Sequence, residues 1–255
     1  MYAPESFTLA DHVAVVTGGG AGIGRAICET FAAASAQVMV SDLHSAAASD
    51  VAAGIRKAGG IAESIGCDVT SDTALTELIG ATVKTFGKLT TVVSNAGGGG
   101  PKPFDMPMAD FERAYALNVF SFFRLAQLAA PEMERCGGGA ILDITSMAAD
   151  NKNRRMAAYA SSKAAASHLV RNIAWDLGER GIRVNGIAPG ATLTAALKSV
   201  LTPEREAAMI KHTPLQRLGQ PQDIANAALF LCSPAANWIS GQILTISGGG
   251  VQELD

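Results

Sequence analysis

Residues 12–33 read HVAVVTGGGAGIGRAICETFAA. The β-branched, apolar run 12–17 passes straight into Gly18, Gly19, Gly20, Gly22 and Gly24, and a segment of helical period follows over 22–35. Glycine is required in such a turn for three reasons: the chain reverses tightly, its backbone must approach a pyrophosphate closely, and the helix packs back on its own strand. The helix amino terminus then offers free N–H groups and the positive end of a dipole to an anion. A glycine-rich turn elsewhere in a chain is often a plain loop. Here it stands between the first strand and the first helix, which favours nucleotide binding.

Outward from this turn the same rhythm repeats. Runs 37–41, 61–67, 89–94, 139–145, 182–188 and 242–246 read as further strands, with helical segments near 45–59, 71–86, 107–135, 157–180 and 220–232 between them. Strands that are mostly apolar rather than alternating belong to a sheet covered on both faces, and the spacers are long enough for crossover helices. The pattern predicts an α/β fold, a doubly wound parallel sheet of the Rossmann kind with about seven strands and helices on both faces. No Pro-, Ser- or charge-rich linker divides the chain, so 1–255 reads as a single domain. Only 190–219, with Pro203 and Pro214, breaks the rhythm, and it is expected to form a lid beyond the carboxyl ends of the strands.

Composition narrows the function. At 48% hydrophobic and 17% charged residues the chain buries a real core, which excludes disorder. Lys and Arg number 20 against 23 acids, net −3, with no run of like charge to follow a nucleic-acid backbone. No apolar stretch reaches the ~20 residues of a membrane span, and Met1-Tyr2-Ala3-Pro4-Glu5 lacks a basic leader, so a cytoplasmic location is expected. Cys28, Cys67, Cys136 and Cys232 are scattered, as are the four histidines, and read as reduced thiols rather than a metal site.

Asp42 ends the second strand, where an acid meets the adenosine ribose hydroxyls of NAD and repels the extra phosphate of NADP. One charge pair at ~4 Å and an effective dielectric near 20 is worth about 4 kcal/mol, enough to set the preference. Asp42 would also serve as a helix cap, and Arg25 just after Gly24 is the nearby cation that could oppose it. Asp68-Val69 and Asn95-Ala96-Gly97 follow the third and fourth strands at the same edge; alone, each reads as a turn. Tyr159 and Lys163 lie one helical turn apart on one face, a spacing suited to moving the proton of a hydroxyl, because an ammonium beside a phenol favours the phenolate. Ser146, at the end of the fifth strand, can converge on the same oxygen. Asn118 binds either backbone or a water. Met106, Met108, Phe120, Phe122, Phe123 and His168 read as core or subunit-interface packing.

Taken in order, these residues resemble the short-chain dehydrogenase/reductase family over residues 8 to 250. Thr17-Gly18 with Gly22 and Gly24 matches its glycine motif, Asn95-Ala96-Gly97 its sheet-stabilising motif, Asn118, Ser146, Tyr159 and Lys163 its catalytic tetrad, and Pro189-Gly190 with Thr194 the segment that touches the nicotinamide amide. The resemblance implies that Gly18, Gly22, Ile23, Gly24, Asp42, Asp68, Val69, Asn95, Tyr159, Lys163, Thr192 and Thr194 bind NAD. It further implies a homotetramer and no metal. Residues 95–111 and 159–172, with the stretch from Leu218 to Ala236, are most similar to bacterial hydroxysteroid dehydrogenases, which implies oxidation of the 7α-hydroxyl of a bile acid or steroid. Arg154-Arg155 and Thr192 depart from that pattern at the border of the expected substrate pocket. The two arginines read either as a solvated loop or as partners for an anionic substrate tail. A 3-oxoacyl carrier-protein reductase and a catalytically silent NAD-binding protein are the competing readings; Asp42 argues against the first and the complete tetrad against the second.

Overall fold

The computed structural model describes residues 4–152 and 154–250. Val13–Thr17 forms β1, buried along its whole length. Strand alternation sends Ala14 and Val16 to one side of the sheet and Val15 to the other, and both sides are apolar, which is why the run shows no polar face. Parallel pairing then builds one sheet from β1, β2 (Gln37–Asp42), β3 (Ile61–Gly66), β4 (Thr91–Ser94), β5 (Gly139–Ile144), β6 (Ile182–Pro189) and β7 (Ile243–Ile246), in the order β3-β2-β1-β4-β5-β6-β7. The seven-stranded parallel prediction holds.

Helices cover both faces. One layer contains α1 (Gly22–Ala33), α2 (Ser45–Lys57) and α9 (Pro221–Cys232), with Ile27, Phe31, Val51, Ile55 and Leu231 against Val38, Val40 and Leu142. The other contains α3 (Asp72–Phe86), α5 (Ser121–Arg135) and α6 (Ala157–Leu177), where Leu75, Leu78, Phe122, Leu125 and Val170 pack on Val92, Ile141 and Val184. Each large side chain so buried stabilises the fold by about 1.5–3 kcal/mol before entropy is counted. Strands are added to one side of β1 up to β3 and to its other side from β4 onward, so the connections after β1 and β4 part at their carboxyl ends and leave the crevice where such sheets bind ligands.

Boundaries fall within three residues of expectation, with one real difference. The helix expected over 107–135 is two helices, α4 (Met108–Tyr115) and α5, joined by a π-helical turn over Ala116–Phe120. A single-residue insertion into a helix leaves the sequence period nearly intact, so the periodicity of the segment does not reveal it. Phe122 is core, whereas Phe120, Phe123 and Met108 are exposed. Residues 190–219 hold α7 (Ala195–Lys198) and α8 (Pro203–Lys211), the latter started by Thr202 as cap and Pro203 in its first turn. A short parallel bridge between Thr192 and Gly219 closes the base of this excursion. The four cysteines are free thiols, three of them buried, and no helix among the described residues is long and apolar enough to cross a membrane.

Candidate active site

The glycine turn is shaped by contacts that leave no room for side chains. A Cβ on Gly24 would sit 2.1 Å from Gly18 O, and one on Gly18, which has φ +62°, would sit 2.9 Å from Asn95 Nδ2. Gly22, with φ +54°, faces Thr194, whose Cγ2 a Cβ would crowd at 3.3 Å. Ala21, the residue capping α1, offers no side-chain hydrogen bond, so the first N–H groups of the helix stay available to an anion. The turn therefore fits a pyrophosphate.

Asp42 anchors the turn from the side. Its carboxylate accepts from Gly20 N at 3.0 Å and from His44 N at 2.9 Å, the second bond turning the chain into α2. Both oxygens keep lone pairs for ribose hydroxyls. Arg25 is drawn along α1 to Glu29 at 2.8 Å, so its guanidinium already has an anionic partner. Asn95 spends its amide on the carbonyls of Thr17 and Gly18, at 2.9 and 3.0 Å, tying β4 to β1 across the crevice. Asp68 is exposed and held in a turn by the N–H and hydroxyl of Thr70, which keep its carboxyl below the usual range; Val69 is buried in the core beside it.

The residues expected to move the proton come from three elements. Tyr159 and Lys163 lie on α6 one turn apart, and Lys163 Nζ, only 4% exposed, donates to Ile144 O at the end of β5 at 2.7 Å. That contact uses one of the three ammonium protons and leaves two for the cleft. Ser146 follows β5; its Oγ accepts from Ala148 N at 3.1 Å, so the hydroxyl proton remains free to donate. Asn118 sits in the π turn, 3% exposed, with Nδ2 on Gly98 O (2.9 Å) and Ser162 Oγ (3.0 Å) and Oδ1 receiving Gly98 N (3.0 Å). It therefore binds the glycine run beside Tyr159. Two positions of that run are closed to a side chain: a Cβ on Gly97 would lie 2.9 Å from Asn118 Oδ1 and 3.0 Å from Lys163 Nζ, and one on Gly99 2.7 Å from the Tyr159 ring.

A cleft of ≈ 400 Å³ at the carboxyl edge brings together Gly22, Ile23, Asn95, Ser146, Tyr159, Lys163, Thr192 and Thr194. Gly18, Gly24, Asp42, Asn118, Asp68 and Val69 are not in its lining, although Gly18 and Asn118 are hydrogen-bonded to the lining residues Asn95 and Gly98. Thr194 caps α7 through Leu197 N, and Thr192 bonds back to Gly190 O. Arg154 and Arg155 are exposed on the loop before α6, and Lys102 N donates to Arg155 O at 2.7 Å, joining that loop to the glycine run. A larger cavity, ≈ 580 Å³, opens at the opposite edge beside Gly139 and Ile182, but its His12 and Arg183 are tied to Thr91 and to backbone carbonyls and it holds none of the candidates. Sequence reading missed Gly98, Gly99, Ser162 and Asp143. The last had a signal, an acid inside the apolar strand ILDI.

Residues 18–250 match the family model described as Enoyl-(Acyl carrier protein) reductase. The chain is 65% identical over 255 residues to the 7alpha-hydroxysteroid dehydrogenase of Escherichia coli K12, covering 100% of each. It is 32% identical over 246 residues to the protein of that name from Clostridium sardiniense, covering 94% of each. A solved 7 alpha-hydroxysteroid dehydrogenase, complexed with NADH and 7-oxo glycochenodeoxycholic acid, superposes with a TM-score of 0.98 at 65% identity, covering 100% of both chains. A family match over most of the chain and relatives of this identity along its full length make this chain a member of the short-chain dehydrogenase/reductase family.

Proposed function

We propose that this enzyme oxidises the 7α-hydroxyl of bile acids and related steroids to the 7-oxo form, reversibly, with NAD. The observation that carries the reading is the 65% identity along the whole chain to a 7alpha-hydroxysteroid dehydrogenase, joined to a cleft in which Ser146, Tyr159 and Lys163 converge. Bound NAD supplies the acceptor for the hydride of the carbinol carbon. The first turn of α1 receives its pyrophosphate, Asp42 the adenosine ribose hydroxyls, and Thr192 and Thr194 the nicotinamide side. Ser146 donates to the substrate oxygen and orients it. Tyr159, as phenolate, takes the hydroxyl proton, and Lys163 favours that phenolate while binding the nicotinamide ribose. Asn118 holds the π turn and the glycine run in register with Tyr159. Segment 190–219 is the lid over the steroid.

The assembly we infer is a homotetramer in the cytoplasm. Free thiols suit a reducing compartment, and Phe120 of the π turn, Phe123 of α5 and Trp175 of α6 leave apolar surface exposed on one chain. Sedimentation velocity tests the assembly. The activity is tested with purified enzyme by following NAD and NADP reduction with a 7α-hydroxy bile acid, its 7β epimer and a 3-hydroxyacyl thioester. Turnover of the 7α compound with NAD, and of neither other substrate, is expected; preference for the thioester with NADP would replace this reading by acyl reduction.

A further inference from the structure

Among the described residues, the only Asp, Glu, Lys or Arg side chains buried in the fold are Lys163 and Asp143, the second 2% exposed. They are of opposite sign and lie at the same end of β5, since Lys163 Nζ donates to Ile144 O and Asp143 immediately precedes Ile144 in that strand. Alternation along β5 sends Ala140, Leu142 and Ile144 toward α1 and α9, and Ile141 toward α5 and α6. Asp143 therefore shares the side of Ile141, in the layer that contains Lys163. Its surroundings offer little else. Ser94, its register partner on β4, is its hydrogen-bond donor; Gly186 opposes it on β6 without a side chain; α5 adds apolar groups such as Phe122 and Leu125. Lys163 is the one charged group that acts on the carboxyl, and Oδ2 has no hydrogen-bond partner.

An acid with an unpartnered oxygen in a strand core is expensive, and an apolar residue would pack there without that cost. Burial raises the Asp143 carboxyl to about 6, against the pull of Lys163 and the Ser94 hydrogen bond, so near neutral pH it is an anion. We propose that Asp143 is a positioning residue of the alcohol oxidation, the buried counter-charge that keeps Lys163 an ammonium on the Ile144 carbonyl and sets the pH at which Tyr159 becomes the base. The inference rests on the roles given above to Tyr159 and Lys163. Removing one buried negative charge makes both groups release protons more readily, so the whole activity profile moves to lower pH.

The test is Asp143→Asn, with Asp143→Ser as a second neutral variant and Asp143→Glu retaining the charge. In kcat/KM against pH, both limbs should move acidward by about half a pH unit or more in the neutral variants and stay with the parent in the Glu variant. Ultraviolet titration of the ligand-free protein, with Tyr159→Phe to assign the signal, should show the Tyr159 phenolate forming at correspondingly lower pH. A uniform loss of rate with unmoved limbs and an unmoved phenol titration overturns the proposal. So does a Glu variant displaced like the Asn variant, or failure of both neutral variants to fold, which would assign the carboxylate to structure. The titration needs no substrate, so a parent that ignores bile acids would sink the substrate reading and leave Asp143 still tested.

Discussion

The tasks proposed for Tyr159 and Asp42 are separable, and single substitutions distinguish them. Tyr159→Phe removes one oxygen from a ring whose position is set by Gly99 and α6, so NAD affinity should stay within about twofold while turnover falls by roughly 10³-fold. Residual turnover within about tenfold of the parent would mean that another group takes the proton. Asp42→Ala deletes the acceptor of Gly20 N and the repulsion of a 2′-phosphate together. The ratio of kcat/KM for NAD over NADP should fall by at least about tenfold, measured with one alcohol and both cofactors. An unchanged ratio would hand cofactor choice to the backbone of the turn. Both residues were legible in the chain because their signal is positional: an acid at the end of the second strand, and a phenol and an amine one helical turn apart.

At the scale of elements, the π turn over Ala116–Phe120 and the glycine run Gly97–Gly100 act as one piece, held by two hydrogen bonds between Asn118 and Gly98, and a third bond ties Asn118 to Ser162 of α6. Neither shows in periodicity, since a π insertion changes hydrogen-bond register rather than the spacing of apolar residues. The loop from Ser146 to α6 is joined to the same piece through Arg155 O and Lys102 N. Arg154 and Arg155 on that loop are exposed, so pairing with the acidic tail of a bile acid is worth about 1 kcal/mol at most. Replacing both by Ala should raise KM for a conjugated bile acid by about three- to fivefold more than for a 7α-hydroxysteroid without the acid, a difference that shrinks as salt is added. Equal shifts for the two substrates would return the arginines to a solvated loop.

For the whole molecule, the buried Asp143 couples stability to pH. Its carboxyl titrates near 6 in the fold and near ~3.9 in the unfolded chain, so the unfolded state loses its proton first as pH rises. Stability therefore drops between about pH 4 and 6, by on the order of 3 kcal/mol, and the full cost is present above 6 and absent below 4. Calorimetry should find Asp143→Asn several degrees more stable than the parent at pH 7 and level with it near pH 4; the same difference at both pH values would contradict the assignment. The alternation of apolar strands and Ala-rich helices determined the parallel sheet, its two covered layers and the edge at which ligands bind, because these follow from period and from the handedness of crossovers. The glycine turn and the Tyr159–Lys163 pair were equally plain, because each is local. What the tertiary structure alone decided is which groups meet across elements. Lys163 reaches the carbonyl of Ile144, Asn118 clasps Gly98, Asp42 holds Gly20, and Asp143 lies in the layer of Lys163. Such contacts depend on strand register and on the rotation of each helix about its axis, and neither is written in the residues of any one element.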